Sequence, residues 1–244
     1  MPAAAAQLKR ERMSATLRRV LDSAARLQRV VPDAVLVGGA AAALYAGHRD
    51  SFTRDHVLRD LETRYVEVLE AVEATDGWVT SGRASSPPMT ILGSLGGIEA
   101  GLRQLRRLRP LEVEIIDLGD GSSVRVPAAA EILRIKAFLV VQRNQVRDYL
   151  DVVALDDRYG PDVSVTVLGD IDAYYRDRSG VSDSVLTALV QRLSEPNPRD
   201  SRVTGQLSSY KGLDPRWHDW SSVVAACASL ADRLLEHVEL GDPR

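Results

Sequence analysis

The sequence predicts an α+β fold, with a mixed β-sheet flanked by helices in residues 1–127 and an all-α helical bundle in residues 128–244. In the first part, short β-rich runs alternate with helical segments, whereas after residue 128 the apolar residues keep helical spacing throughout. The length suits one large domain or two small ones, and 45% hydrophobic residues suffice for a substantial core. We therefore expect a domain boundary near residue 128.

The first part contains helices and strands in mixed order. Residues 6–30 carry apolar side chains three and four positions apart, which is typical of an amphipathic helix. The predicted helices are residues 6–30, 40–46 and 60–75. The predicted strands are residues 34–37, 51–58, 78–80 and 89–92. We expect the strand at residues 51–58 to be short and to lie at an edge of the sheet.

A β-hairpin and a set of helices follow. Residues 111–118 alternate between acidic and apolar side chains, Asp120-Gly121 is a turn signal, and residues 123–126 return as the partner strand. Pro127 is expected to begin the helical region, because proline is favoured in a first helical turn. The predicted helices are residues 128–142, 146–158, 163–175, 182–193 and 220–240.

Composition excludes several classes of protein. The net charge of −3 gives no global basic field for nucleic acid, and the single cysteine, Cys227, excludes an internal disulfide framework and a cysteine-based zinc site. No apolar run approaches about 18 residues, so we expect no membrane span and no membrane as a partner. The N-terminus lacks the apolar core of a signal peptide. These features predict a cytoplasmic protein.

The strongest local signal for a ligand is the glycine pair Gly38-Gly39 after the first strand. Glycines between a strand and a helix let backbone N–H groups approach an anion closely. Arg49, Ser51 and Asp55 follow on a polar segment, and a carboxylate entering on a second strand would hold a divalent cation beside that anion. The pattern suits a nucleoside triphosphate site; a tight turn without a ligand fits it as well.

Carboxylates on the predicted strands are the candidate metal ligands. Asp55 would ligate a metal ion, or would serve as a turn residue at the end of a strand. Glu114, and with less support Glu112, would supply a further metal ligand, or would lie on the solvent face of the hairpin. His48 is a candidate acid or base, although such a residue more often caps or orients a turn.

The predicted helices carry a second set of charged candidates. Lys136 lies among apolar neighbours, so its ammonium group needs a partner; it would contact phosphates as a point charge or extend to solvent from the helix edge. Asp148 and Asp151 are three residues apart on one helical face. Together with Arg143 and Arg147, they would equally form a ladder of intrahelical ion pairs.

The order of these elements resembles one known family. A Gly-Gly turn after the first strand is followed by Gly-His-Arg-x-Ser-x-x-x-Asp over residues 47–55, then by a glutamate-bearing strand, a helix with a central lysine, and Arg-Asp-Tyr-Leu-Asp over residues 147–151. This order, over about residues 30–160, resembles the AbiEii/MenT-type nucleotidyltransferases, toxins of bacterial toxin–antitoxin and phage-defence systems. Their core is similar to that of DNA polymerase β-like transferases.

The resemblance implies roles for individual residues. It places Gly38 and Gly39 in the phosphate-binding loop, with Arg49, Ser51 and Asp148 as nucleotide-binding residues. It makes Lys136 a contact to the nucleoside triphosphate and a catalytic residue. The list of catalytic residues implied in this way is Asp55, Lys136 and Asp151, and the metal ligands are Asp55 and Glu114.

One departure from the family pattern concerns the metal. The family places an aspartate two residues after the serine, and this sequence has Thr53 there. A threonine hydroxyl ligates Mg²⁺ without adding charge, so a two-metal arrangement would lose one carboxylate. Either Asp50, Glu114 or Glu112 compensates, or activity is reduced or lost.

The implied reaction is Mg²⁺-dependent transfer of a nucleoside monophosphate from an NTP to an acceptor hydroxyl. The resemblance implies a tRNA 3′ end or another RNA as acceptor, a protein hydroxyl as an alternative, and a cognate antitoxin as a partner. Two basic segments, Arg103 to Arg109 and Arg143 with Arg147, suit an RNA backbone, or simply solvate helices. The competing hypotheses are a degenerate member that binds nucleotide, RNA or a partner without turnover, and a helical interaction protein.

Overall fold

A computed structural model describes residues 14–52, 54–176, 184–210 and 212–241. Helices and strands alternate through residue 127, and the described residues beyond it contain only helices and connections. This arrangement confirms the predicted fold class. The chain divides into two compact units, the first made of Met1–Arg106 with Leu111–Ala128 and the second of Arg107–Pro110 with Ala129–Arg244.

The first unit combines helices with two sheets. Its helices are α1 (Ala15–Val30), α2 (Gly38–Ala46) and α3 (Leu61–Glu73). Its strands are β1 (Val35–Val37), β2 (Arg54–Leu58), β3 (Trp78–Thr80), β4 (Thr90–Leu95), β5 (Ile98–Gln104), β6 (Val113–Asp117) and β7 (Ser123–Pro127). The larger sheet has the order β1-β2-β5-β4-β3, with β2 and β5 parallel and the other neighbours antiparallel. Strands β6 and β7 form a separate antiparallel pair.

Strand β2 lies inside the sheet, between β1 and β5, so the prediction of an edge strand is wrong. The physical reason is the identity of its inward-facing residues. Arg54 and His56 are buried together with Leu58, whereas a hydrophobicity pattern assigns such polar residues to the surface. Strand β5 was not predicted. Gly101 has low β propensity, and packing against the neighbouring strands decides that this segment is a strand.

The hairpin was predicted correctly, but the role of Pro127 was not. Pro127 is the last residue of β7 and pairs with Val113, and the following helix begins at Ala129. The N–H of Ala128 donates to the carbonyl of Glu112 at 2.9 Å. Antiparallel ladders alternate bonded and non-bonded pairs, so Pro127 occupies a position where no ladder N–H is needed.

The core of the first unit lies on one face of the larger sheet, under α1 and α3. Ser14 begins α1 as its N-cap and accepts a hydrogen bond from the N–H of Leu17 at 3.0 Å. Gln28 of α1 binds both backbone groups of Arg125 in β7, at 2.7 and 2.9 Å. The core cluster is Leu27, Val31, Ala34, Leu58, Leu61, Val68, Val72, Trp78, Ile91, Leu95, Ala100 and Leu102.

The second unit is helical in the residues that the structure describes. Its α-helices are α4 (Ala129–Arg143), α5 (Val146–Tyr159), α6 (Pro161–Gly169), α7 (Val185–Ser194) and α8 (Trp220–Gly241). Its 3₁₀ helices are Ile171–Ala173, Ser201–Ser209 and Pro215–Trp217. Asn144 joins α4 to α5 in a left-handed conformation, with φ of 53°, and accepts a 2.6 Å hydrogen bond from the hydroxyl of Tyr149.

No described helix has the length and apolar character needed to cross a membrane.

Candidate functional site

The glycine pair forms a turn that leads directly from a buried strand into α2. Gly38 has a φ of 76°, a backbone conformation that costs little only for glycine. The residue before it, Val37, makes no side-chain hydrogen bond to the helix N-terminus. Because the first N–H groups of a helix have no partner within the helix, this turn presents donors of the kind that bind an anion.

Arg49 and Ser51 lie directly against the second glycine of the turn. A Cβ atom at Gly39 would lie 2.7 Å from Nη2 of Arg49 and 2.8 Å from Oγ of Ser51. Both side chains are buried. Gly47 ends α2 in a left-handed conformation, with φ of 65°, and this ending precedes the segment that returns Arg49 and Ser51 to the start of the helix.

Asp55 occupies the same corner from strand β2. It is the cross-strand partner of Val37 on one side and of Gly101 on the other. A Cβ atom at Gly38 would lie 3.5 Å from its Oδ2. Its Oδ1 accepts a 3.2 Å hydrogen bond from Nε of Arg103, and the Asp55 side chain is 34% exposed.

The opposite face of β2 differs in its electrostatics. Burial lowers the pKa of His56 to about 4, and burial together with the charge of Arg26 lowers the pKa of Arg54 to about 10. Among the residues that the structure describes, neither Nη atom of Arg54 finds a hydrogen-bond partner. These two residues face the core, so the alternation of β2 separates them from Asp55.

Glu114, the second predicted metal ligand, has a different neighbour. It lies on β6, and its Oε2 accepts a 3.2 Å hydrogen bond from the hydroxyl of Tyr45. That hydroxyl is also 2.7 Å from the carbonyl oxygen of Pro127. Glu112 uses its backbone carbonyl in the hairpin. Thr53, the residue that departs from the family pattern, lies outside the described residues.

The predicted charged residues of the second unit form a buried ion cluster. Nζ of Lys136 on α4 lies 2.6 Å from Oδ2 of Asp151 and 3.8 Å from Oδ1 of Asp148, both on α5. Arg143 donates to Asp148 at 2.7 Å. The lysine side chain is 1% exposed and Asp148 is fully buried. The nucleotide contacts expected for Lys136, Asp148 and Asp151 remain predictions.

The basic segment Arg103 to Arg109, which begins within β5, makes several different contacts. Arg103 binds Asp55, whereas Arg107 forms a buried ion pair with Glu131, to which Arg134 also donates at 2.6 Å. The guanidinium of Arg107 lies 5.0 Å from the ring centroid of Tyr174. Arg107 therefore adds no charge to an exposed surface for RNA, and a run of arginines in the sequence did not reveal this.

Sequence reasoning also missed the contact between Arg103 and Asp55. The signal that would have revealed it is the parallel register of β2 and β5, and β5 itself was not predicted.

The residues around the glycine turn fit one Mg²⁺ ion that arrives with a nucleotide, and they do not form a complete metal cage. Among the described residues no group of three or more His, Cys, Asp or Glu side chains is placed to hold a metal ion. Mg²⁺ is commonly bound through one or two carboxylates together with substrate phosphates and water. Asp55, which is partly exposed beside the anion-binding turn, matches that requirement.

Sequence comparison gives relatives of much greater length. No protein-family model matches the chain. It is 28% identical over 246 residues to the heme uptake protein MmpL11 of Mycobacterium tuberculosis, covering 91% of this chain and 23% of that protein. It is 30% identical over 138 residues to the mycolic acid-containing lipids exporter MmpL11 of Mycolicibacterium smegmatis, covering 55% of this chain and 14% of that protein. The chain spans less than a quarter of these relatives.

Structural comparison identifies the fold. MenT4, a nucleotidyltransferase toxin from M. tuberculosis, matches with a TM-score of 0.53 and 18% identity over 83% of this chain and 75% of that chain. JHP933 from Helicobacter pylori matches with a TM-score of 0.51 and 14% identity over 94% and 96%. A candidate nucleotidyltransferase from H. pylori matches with a TM-score of 0.50 and 15% identity over 95% and 100%. The chain therefore has the nucleotidyltransferase fold.

Proposed function

We propose that this chain is a nucleotidyltransferase that binds a magnesium–nucleoside triphosphate at the glycine turn. It would transfer the nucleoside monophosphate to an acceptor hydroxyl and release pyrophosphate. One observation carries the proposal: in a chain with this fold, the start of α2, which Val37 does not cap with a side-chain hydrogen bond, lies together with Arg49, Ser51 and Asp55. Donors and a positive charge are grouped beside a partly exposed carboxylate, which is the chemistry needed to hold phosphates and a divalent cation.

Each residue of the turn has a role in this proposal. The N–H groups at Gly38 and Gly39 and the hydroxyl of Ser51 donate to phosphate oxygens, and Arg49 offsets their negative charge. Asp55 holds the cation. When bound, Mg²⁺ neutralises the charge that develops on the phosphates during transfer.

The transfer itself exchanges one bond at phosphorus for another. The acceptor oxygen forms a bond to the α-phosphorus while the bond from that phosphorus to the oxygen bridging to the β-phosphorus breaks. The electron pair of the broken bond stays with pyrophosphate, and the hydroxyl proton passes to water. The fixed donors of the turn stabilise this step by positioning the phosphates.

For the acceptor we propose a tRNA 3′ end or another RNA, which would place the reaction in the cytoplasm. The likeness in fold to the toxin MenT4 supports a corresponding role as the toxin of a toxin–antitoxin pair, with a cognate antitoxin as partner. Lys136 and Asp151 would contact the nucleotide only after their buried ion pair opens, because the lysine side chain is 1% exposed and the aspartate is fully buried.

A transfer assay tests the proposal. The protein is incubated with each radiolabelled NTP, Mg²⁺ and total tRNA, and label in RNA is measured. Wild type should transfer label from at least one NTP, and Asp55→Asn should reduce the transfer at least about tenfold, because a neutral side chain binds Mg²⁺ weakly. Asp22→Asn is the matched control, since Asp22 is also a partly exposed aspartate paired with an arginine, Arg18.

A second candidate function is nucleotide or partner binding without turnover. Two observations favour it: Asp55 is already paired with Arg103, and the sequence matches a segment of much longer transport proteins. In that case wild type would bind a non-hydrolysable NTP but transfer no label from any NTP to RNA or protein. Absence of both nucleotide binding and transfer would reject the transferase and the nucleotide-binding role, and would leave partner binding as the remaining candidate.

A further inference from the structure

Arg103 and Asp55 are placed as a pair by the sheet itself. Strands β2 and β5 are parallel, with Asp55 opposite Gly101 and Val57 opposite Arg103. Side chains two apart on a strand share a face, so Arg103 lies on the same face as Asp55. A Cβ atom at Gly101 would lie 3.1 Å from Oδ1 of Asp55 and 3.8 Å from Nε of Arg103. The absence of a side chain at Gly101 leaves the space in which the two groups meet.

The ion pair is weak enough to be exchanged for another partner. It is a single contact of 3.2 Å between Nε and Oδ1, and the side chains are 46% and 34% exposed. Partly exposed ion pairs of this kind change an equilibrium by about fivefold at most. The guanidinium has further donors that this contact does not use.

The pair also occupies the carboxylate that the proposed function assigns to the metal. Oδ1 of Asp55 is bound by Arg103, while Oδ2 lies beside the Gly38 turn. A divalent cation that binds this carboxylate competes with Arg103 for it. The displaced guanidinium would then lie next to a turn suited to phosphate. Arg103 and Arg49 would together make this corner of the sheet positively charged once the cation neutralises Asp55.

We propose that Arg103 is a phosphate-binding residue that Asp55 holds while the site is empty. Binding of a magnesium–nucleotide transfers Asp55 to the cation and Arg103 to the phosphates. This inference rests on the proposed function, because it assumes that nucleotide binds at the glycine turn. Its consequence is that the metal and the nucleotide each bind more tightly in the presence of the other, since both act against the same ion pair.

The test is a calorimetric titration of the full chain with Mg²⁺ alone, with an α,β-non-hydrolysable analogue of each NTP in turn in EDTA, and with Mg²⁺ and each analogue together. In Arg103→Gln, Mg²⁺ alone should bind up to about fivefold more tightly than in wild type, because its competitor is removed. The analogue should bind roughly tenfold more weakly, because a charge-assisted hydrogen bond to phosphate is lost. Arg106→Gln, which alters an exposed arginine three residues further along, is the control.

The outcomes separate the two proposals. If wild type binds the analogue with Mg²⁺ and Asp55→Asn does not, but Arg103→Gln matches Arg106→Gln in every titration, the role of Arg103 is rejected while the proposed function stands. If wild type binds no nucleotide, both are rejected. Opposite shifts in the affinities for Mg²⁺ and for the analogue support the exchange, because loss of structure would weaken both.

Discussion

The substitution Gly39→Ala tests the glycine turn with one added methyl group. The new Cβ atom would lie 2.7 Å from Nη2 of Arg49 and 2.8 Å from Oγ of Ser51, and its other near neighbour is Nη1 of Arg49 at 3.2 Å. Real Cβ atoms essentially never approach other atoms closer than 3.0 Å. Both polar groups must therefore move away by roughly half an ångström or more to reach ordinary van der Waals contact.

The expected effect falls on ligand binding more than on folding. Overpacking a buried position costs about 1–3 kcal/mol, and the long arginine side chain can absorb part of the displacement. The phosphate contacts depend on the positions of these same two groups and on close approach to the backbone. We expect the affinity for a nucleotide analogue with Mg²⁺ to fall at least about tenfold, which corresponds to about 1.4 kcal/mol.

The assay is calorimetric titration of each variant with the analogue, together with thermal unfolding. Gly82→Ala is the control, because a Cβ atom at Gly82 would meet nothing within 4 Å. We expect Gly82→Ala to bind like wild type. If Gly39→Ala remains folded and binds nucleotide as tightly as Gly82→Ala, the assignment of the turn to phosphate binding is refuted.

Three further predictions concern stability. Gly38→Ala should lower the free energy of unfolding by about 1–2 kcal/mol in urea, since its φ of 76° strains any L side chain; an unchanged urea midpoint would contradict the strain. Lys136→Met should lower the free energy of unfolding by ~3 kcal/mol, because Asp151 is left buried without its cation. The double variant with Asp151→Leu should recover most of this loss. If Lys136→Met is as stable as wild type, the ion pair does not stabilise the fold. As the pH falls from 6.5 to about 4, the free energy of unfolding should decrease by about 3 kcal/mol, because the buried ring of His56 binds a proton less readily than it does in the unfolded chain. Urea unfolding of wild type and His56→Leu checks this. If the free energy of unfolding depends on pH equally in both, the prediction is wrong.

Local sequence patterns were sufficient to predict most elements of the fold. The apolar repeat of α1, the alternation of β6 and the helical spacing after residue 128 are set by neighbours a few positions apart, so the sequence reveals them directly. The position of β2 in the sheet is set by non-local pairing with β5, and its buried Arg54 and His56 hide it from a hydrophobicity pattern.

The candidate site likewise has one part that local sequence predicts and one part that depends on non-local strand pairing. Gly38, Gly39, Asp55 and Lys136 were predicted to share one nucleotide site. The structure places the first three together, because short connections between β1, α2 and β2 bring them to one corner. The place of Lys136 in that site stays a prediction. The partner of Asp55 could not be predicted, since Arg103 is 48 residues away and reaches it through the β2–β5 register. The binding roles of these residues remain predictions.

The most direct test of the central claim is a crystal structure of the protein with a non-hydrolysable NTP and Mg²⁺. The account predicts density for the phosphates at the N–H groups of Gly38 and Gly39, with the metal on Asp55 and the guanidinium of Arg103 turned towards a phosphate oxygen. A triphosphate bound away from this turn, or Asp55 still paired with Arg103 beside a bound nucleotide, would contradict it.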